Sequence, residues 1–171
     1  MDVKTLCLGI LALGEATGYE IKKLVADGAF SFFSEASFGS IYPALTKLMQ
    51  EGCVTCRSES QDGRPDKKIY ALTEKGEAEL KASLLRSPGP DKQRSEFLAT
   101  VLFSEAVSPD RLAQLIAERR HYHEERIKTL EAMQGDDMSP AGHFVIGYGL
   151  HVQRAALDFL KREGAALLES A

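Results

Sequence analysis

The sequence predicts a mainly α-helical protein with one small β-hairpin, divided into an N-terminal unit of mixed structure and an all-helical C-terminal one. Three observations carry this. Apolar residues recur at helical spacing along most of the 171 residues. The period shifts to two only after Gly52, where CVTCRSE and KKIYALT flank the turn-forming SQDGRPD. The run Ser-Pro-Gly-Pro at 87 to 90 then breaks the pattern and divides the chain.

Residues 3 to 13 place Val3, Leu6, Ile10 and Leu13 at helical spacing among further apolar residues, as expected of a first helix buried on several sides. Thr17 and Gly18 open a second helix, about 18 to 27, with Tyr19, Ile21, Leu24 and Val25 as its apolar contacts. GAFSFFSEA, residues 28 to 36, is expected to be a loop with three aromatic side chains. In the third helix Ser40 is the expected N-cap, which makes Ile41, Tyr42 and Pro43 its first positions, where a missing N–H costs no helical bond. Ile41, Leu45 and Leu48 then face the core, Gly52 closes the helix in a left-handed conformation, and Ser40, Pro43, Lys47 and Gln50 face outward.

After the hairpin, Thr73 caps a helix over 74 to 86. Beyond the proline-rich break, 94 to 104 form a short apolar helix, and Ser108-Pro109 and Ser139-Pro140 each start a longer one. Those two are expected to be of similar length and to pair antiparallel across QGDDM. They carry more apolar surface than residues 91 to 171 can cover, so a second copy of the chain is the economical partner.

Composition narrows the function classes. With 27% charged residues and no apolar run near the ~18 that a span requires, the chain is expected to be soluble and cytoplasmic, without a membrane role. The apolar opening is expected to be a core helix and not a leader. Three cysteines, Cys7, Cys53 and Cys56, fit a reducing compartment, and the single C-x-x-C lacks the second ligand pair of a zinc site. The net charge of −4 confines any nucleic-acid surface to a local patch.

Three helices followed by a hairpin form the winged helix-turn-helix pattern, whose third helix enters a DNA major groove while the hairpin reaches beside it. Tyr42 and Lys47 on that helix, with Arg64, Lys67 and Lys68 on the hairpin, suit phosphates and base edges. HYHEE at 121 to 125 invites a metal or catalytic reading, but H-E-x-x-H is absent and a solvated helix face explains it better. With no phosphate loop or nucleophile elbow either, no enzyme, metal or cofactor is expected. The competing reading is a winged-helix adaptor that binds another protein in place of DNA.

G-Y-E-I at 18 to 21, F-F-S at 32 to 34, S-I-Y-P-A-L-T-K-L at 40 to 48, E-G at 51 to 52, G-R-P at 63 to 65 and K-K-I-Y-A-L-T-E-K-G at 67 to 76 stand in this order. Together they resemble the PadR-like transcriptional regulators. SEFLATVLFSEAVSP and GYGLHVQRAALDFL extend the resemblance to the larger members with a helical C-terminal half.

The resemblance implies residues 1–87 as a winged-helix DNA-binding domain and 91–171 as a helical dimerisation domain, with the homodimer acting on double-stranded DNA at a roughly palindromic operator. Most relatives repress. By matching motif positions, Ser37, Gly39, Ser40, Tyr42 and Lys47 become DNA-contact candidates on the recognition helix, and Arg64 and Lys67 on the wing. Two departures stand out. Asp66 occupies a usually basic position, and Phe159 stands where a tryptophan is common. A small aromatic effector that releases DNA is a further implication, with Tyr19, Phe30, Phe32, Phe33, Tyr148 and His151 available to line its pocket between the halves.

Overall fold

The structure is a computed structural model and describes residues 2–26, 38–61, 64–90, 94–135 and 138–169. It comprises two compact units divided after Pro90.

The N-terminal unit begins with α1, Val3–Ala12, capped by the Asp2 carboxylate, which accepts the Thr5 N–H at 2.9 Å. Leu6, Cys7, Leu8, Ile10 and Leu11 are all buried, so α1 is enclosed by its neighbours. A two-residue strand, β1 (Ala16–Thr17), leads into α2, Gly18–Ala26. Then come α3 (Phe38–Gln50), β2 (Val54–Gln61), β3 (Arg64–Leu72) and α4 (Glu74–Leu84).

The sheet is antiparallel in the order β1-β3-β2, so the hairpin strand β3 is central. Val54 pairs with Leu72 and Cys56 with Tyr70, and the register shifts between Glu59 and Gln61. Opposite, Ala16 pairs with Tyr70 and Thr17 with Ile69. The sequence reading missed β1, because two residues are too few to show a period. The loop at 28 to 36 and the Asp62-Gly63 turn lie outside the described residues.

The third helix starts earlier than expected. Ser40 is its third residue and not its N-cap, which places Pro43 inside the helix. Pro43 therefore has no N–H for the Gly39 carbonyl. Both residues are exposed, so water can serve that carbonyl. The other end is as expected: Gly52 has φ +71°, its N–H reaches the Met49 carbonyl at 3.0 Å, and the Cys53 N–H reaches that of Leu48 at 2.9 Å. This paired closure satisfies two terminal carbonyls and folds buried Cys53 back over buried Leu48.

In the C-terminal unit α5 covers only Glu96–Leu102, followed by a 3-10 turn at Ser104–Ala106, because the Phe103 backbone leaves the helical region. Next are α6 (Pro109–Ala132) and α7 (Pro140–Glu169). At 24 and 30 residues they are less alike than expected. Ser108 caps α6 through the Arg111 N–H, and Ser139 receives the Gly142 N–H at 3.1 Å. The two helices run antiparallel: Gly164 meets Ile116, His123 meets Gln153 and Glu131 meets Arg154.

Their inner face buries Leu112, Ile116, His123 and Leu130 from α6 and Ile146, Leu150, Leu157 and Leu160 from α7. His123 thus corrects the reading of HYHEE as wholly solvated. It is only 8% exposed, and its Nδ1 pairs with Gln153 Oε1 at 2.6 Å, which ties α6 to α7. Among the described residues no helix is long and apolar enough to cross a membrane.

Candidate nucleic-acid interface

The amphipathic spacing of α3 settles what it can present. Ile41, Ala44, Leu45 and Leu48 are buried against the core, leaving Gly39, Tyr42, Pro43, Thr46, Lys47 and Gln50 on the outside. Ser40 is half-buried. Ser37 lies outside the described residues, and for Arg64 the description extends only to its place in β3.

Tyr42 is 48% exposed, and its ring rests on Gly18 at the start of α2. A side chain at position 18 would occupy the same space, so the glycine of the G-Y-E-I segment seats the tyrosine. Tyr70, buried on β3, lies within electrostatic reach of Tyr42, and burial above all pushes its phenol up, with Cys56 and Tyr42 adding to the effect.

The wing cations are not idle. Lys67 Nζ stands 3.8 Å from Glu20 Oε1. The other oxygen of that carboxylate, Oε2, accepts the Thr17 N–H at 2.7 Å and the Thr17 hydroxyl at 2.8 Å, while the Glu20 N–H donates back to Thr17 Oγ at 3.1 Å. This is a reciprocal cap at the start of α2. The Thr17 backbone bond, then its hydroxyl, and Lys67 more weakly, hold the Glu20 carboxyl below its ordinary value. Arg57 on β2 is engaged by Glu15 at 2.6 Å, and Lys4 by Glu51 at 2.5 Å. Lys68 and Asp66 are exposed.

Sequence reasoning missed Gly18 and Glu20. Thr17-Gly-Tyr-Glu20 does carry the T-x-x-E spacing of a reciprocal cap, a signal sufficient to find the carboxylate. Nothing local announces that Tyr42 will lie on Gly18.

Among the expected effector residues, Tyr19 and Tyr148 are largely exposed and His151 is exposed, with its Nδ1 2.8 Å from the Gly147 carbonyl. Phe30, Phe32 and Phe33 lie outside the described residues. Among the described residues no three His, Cys, Asp or Glu side chains are grouped to hold a metal. All three cysteines are free, and burial pushes the Cys7 thiol up to about 11, which makes it unreactive.

Residues 7–82 match the transcriptional regulator PadR-like family, and residues 93–167 match the virulence activator alpha C-terminal family. The negative transcriptional regulator PadR of Bacillus subtilis is 32% identical over 130 residues, which cover 75% of this chain and 71% of that one. The structure of smu.1604c from Streptococcus mutans UA159 superposes with a TM-score of 0.87 at 35% identity, covering 96% of this chain and 99% of that one. Bacillus subtilis PadR in complex with operator DNA superposes at 0.79 with 28% identity, covering 96% and 98%. The same PadR in complex with p-coumaric acid superposes at 0.70 with 25% identity, covering 96% and 94%. The curated relatives are transcriptional regulators, not enzymes, and this chain belongs to the PadR-like family of transcriptional regulators, in its larger form with a helical C-terminal region.

Proposed function

We propose that this protein is a cytoplasmic repressor that binds a palindromic operator as a homodimer and releases it on binding a small aromatic effector. The observation that carries the reading is the outward face of α3, where Gly39, Tyr42 and Lys47 stand clear of the core on a helix whose other side is fully buried. Ser37, Ser40, Arg64 and Lys67 complete the proposed contact set. Operator binding by Bacillus subtilis PadR supports the DNA partner, and its complex with p-coumaric acid supports the effector class. The exposed apolar stripe of α7, Phe144, Tyr148, Val152 and Phe159, supports self-association.

Fluorescence anisotropy with a labelled duplex from the promoter region of the protein's own gene tests this reading. The logarithm of affinity should fall linearly as the logarithm of salt rises, and Lys47→Ala should make the slope shallower by about 1 if that ammonium neutralises a phosphate. A flat salt response would overturn direct DNA binding. It would favour the adaptor reading, to which the neutralised Arg57 and Lys67 and the net charge of −4 already lend some weight.

A further inference from the structure

The hairpin sorts its cations by face. Side chains alternate along a strand, so Lys68 shares one side of β3 with Tyr70, which is buried in one core cluster with Ile41 and Leu45 of α3 and lies within electrostatic reach of Tyr42. This is the helix side of the sheet. Lys67 points the other way, and so does Arg57 on β2, whose register partner is Ile69, a residue outside that core cluster.

On the outer face each cation is met by a carboxylate. Arg57 Nη1 lies 2.6 Å from Glu15 Oε1, and Lys67 Nζ lies 3.8 Å from Glu20 Oε1. Glu59 stands directly opposite Lys67 in the register, so two cations there face three carboxylates. Glu15 and Glu20 are not part of the hairpin: one precedes β1, and the other sits in the first turn of α2. The pairing with Arg57 holds the Glu15 carboxyl below its ordinary value. On the helix side the opposite holds. Lys68 is exposed, and no ion pair among the described residues includes it, not even with Asp66 on the same side.

Phosphates are alike on every duplex, so an uncompensated cation attracts any DNA, whereas sequence is read only where α3 reaches base edges. A duplex held on the outer face of the wing would have the sheet between it and α3. We propose that Glu15 and Glu20 are specificity-determining residues: they quench Arg57 and Lys67, so that DNA is not held on the outer face, and leave the wing's phosphate contact to Lys68. The inference rests on the operator reading above. It also moves the wing contact given there to Lys67 onto its neighbour.

The test is fluorescence anisotropy of the full chain, across a salt series, with the promoter duplex and with a scrambled duplex of equal length. The probe is the double variant Glu15→Gln and Glu20→Gln, since glutamine keeps an oxygen for the Thr17 cap and removes only the charge. An exposed pair is worth up to about fivefold, so the double variant should bind scrambled DNA about tenfold more tightly, with a salt slope steeper by about 2, while the promoter duplex changes by less than about twofold. Lys68→Met should weaken promoter binding about fivefold and make its slope shallower by about 1. All titrations are run at a temperature where circular dichroism shows every variant folded. Unchanged binding of scrambled DNA by the double variant, equal tightening on both duplexes, or wild-type promoter affinity in Lys68→Met overturns the proposal. If wild type prefers the promoter duplex and the double variant prefers it equally, this inference alone fails. If neither protein binds either duplex at low salt, the operator reading fails and this inference with it.

Discussion

The ring of Tyr42 lies so close over Gly18 that a Cβ at position 18 would stand 2.6 Å from Tyr42 Cε1. The obstacle is a half-exposed side chain and not backbone, so the ring can swing away at little cost to the fold. Gly18→Ala should therefore lower operator affinity far more than it lowers the unfolding temperature. Tyr42→Phe, which keeps the ring on its seat, should weaken operator binding about tenfold if the hydroxyl meets a phosphate. Anisotropy titrations paired with thermal unfolding separate the two effects.

Gly76 presents the opposite case. A Cβ there would lie 2.1 Å from the Cys53 carbonyl oxygen and 2.7 Å from Leu72 Cδ1, and the first of these is backbone tied into the closure of α3. Gly76→Ala should cost about 1–3 kcal/mol or more, as overpacking does where neighbours cannot yield. Chemical denaturation should show a lowered midpoint; an unchanged one would mean that α4 can shift freely against Cys53.

Acid should loosen the wing through Glu20. Its folded-state pKa is depressed below the ordinary 4.5, chiefly by the Thr17 N–H, so its stabilisation is complete above 4.5 and is lost as pH falls through the lower folded value. Wild type should unfold at a higher temperature than Glu20→Gln near neutrality, and the gap should narrow as pH falls below 4.5 and the carboxylate is protonated. A gap that persists in acid would assign the effect to packing and not to charge.

The proposed self-association is open to a direct test. Phe144 and Tyr148 lie one turn apart on α7 and are 75% and 63% exposed. Tyr148→Glu, and more strongly the double change with Phe144→Glu, should shift the chain towards monomer in sedimentation equilibrium while leaving its helicity unchanged. Operator affinity should drop with it, because two half-sites then no longer share one binding event.

Much of this architecture is legible in short stretches of sequence. Thr73 and the Ser-Pro pairs at 108 and 139 mark helix starts because a hydroxyl that satisfies an orphan N–H acts within three residues. Gly52 marks an end because few other residues adopt its backbone angle. The start of α3 was less legible, since Ser40 and Pro43 imitate a cap and the true first turn lies upstream at Phe38. β1 exists only through its partner Ile69-Tyr70, fifty residues and more away, and no local pattern can announce it. His123 could have been found. Ile116, His123 and Leu130 repeat every seven residues and so share the buried side of α6.

The junction between α3 and α4 bears on any movement the protein makes. The Thr73 hydroxyl donates to the Gly52 carbonyl at 2.8 Å, Lys75 Nζ to that of Glu51 at 2.6 Å, and Gly76 abuts Cys53. The head of α4 is thereby bolted to the tail of α3, and α4 itself runs on towards the proline-rich link at 87 to 90. Each acceptor at this joint is a backbone carbonyl, of Glu51, Gly52 or Cys53, so the attachment of α4 to α3 is written into the main chain and survives any change of side chain at those three positions.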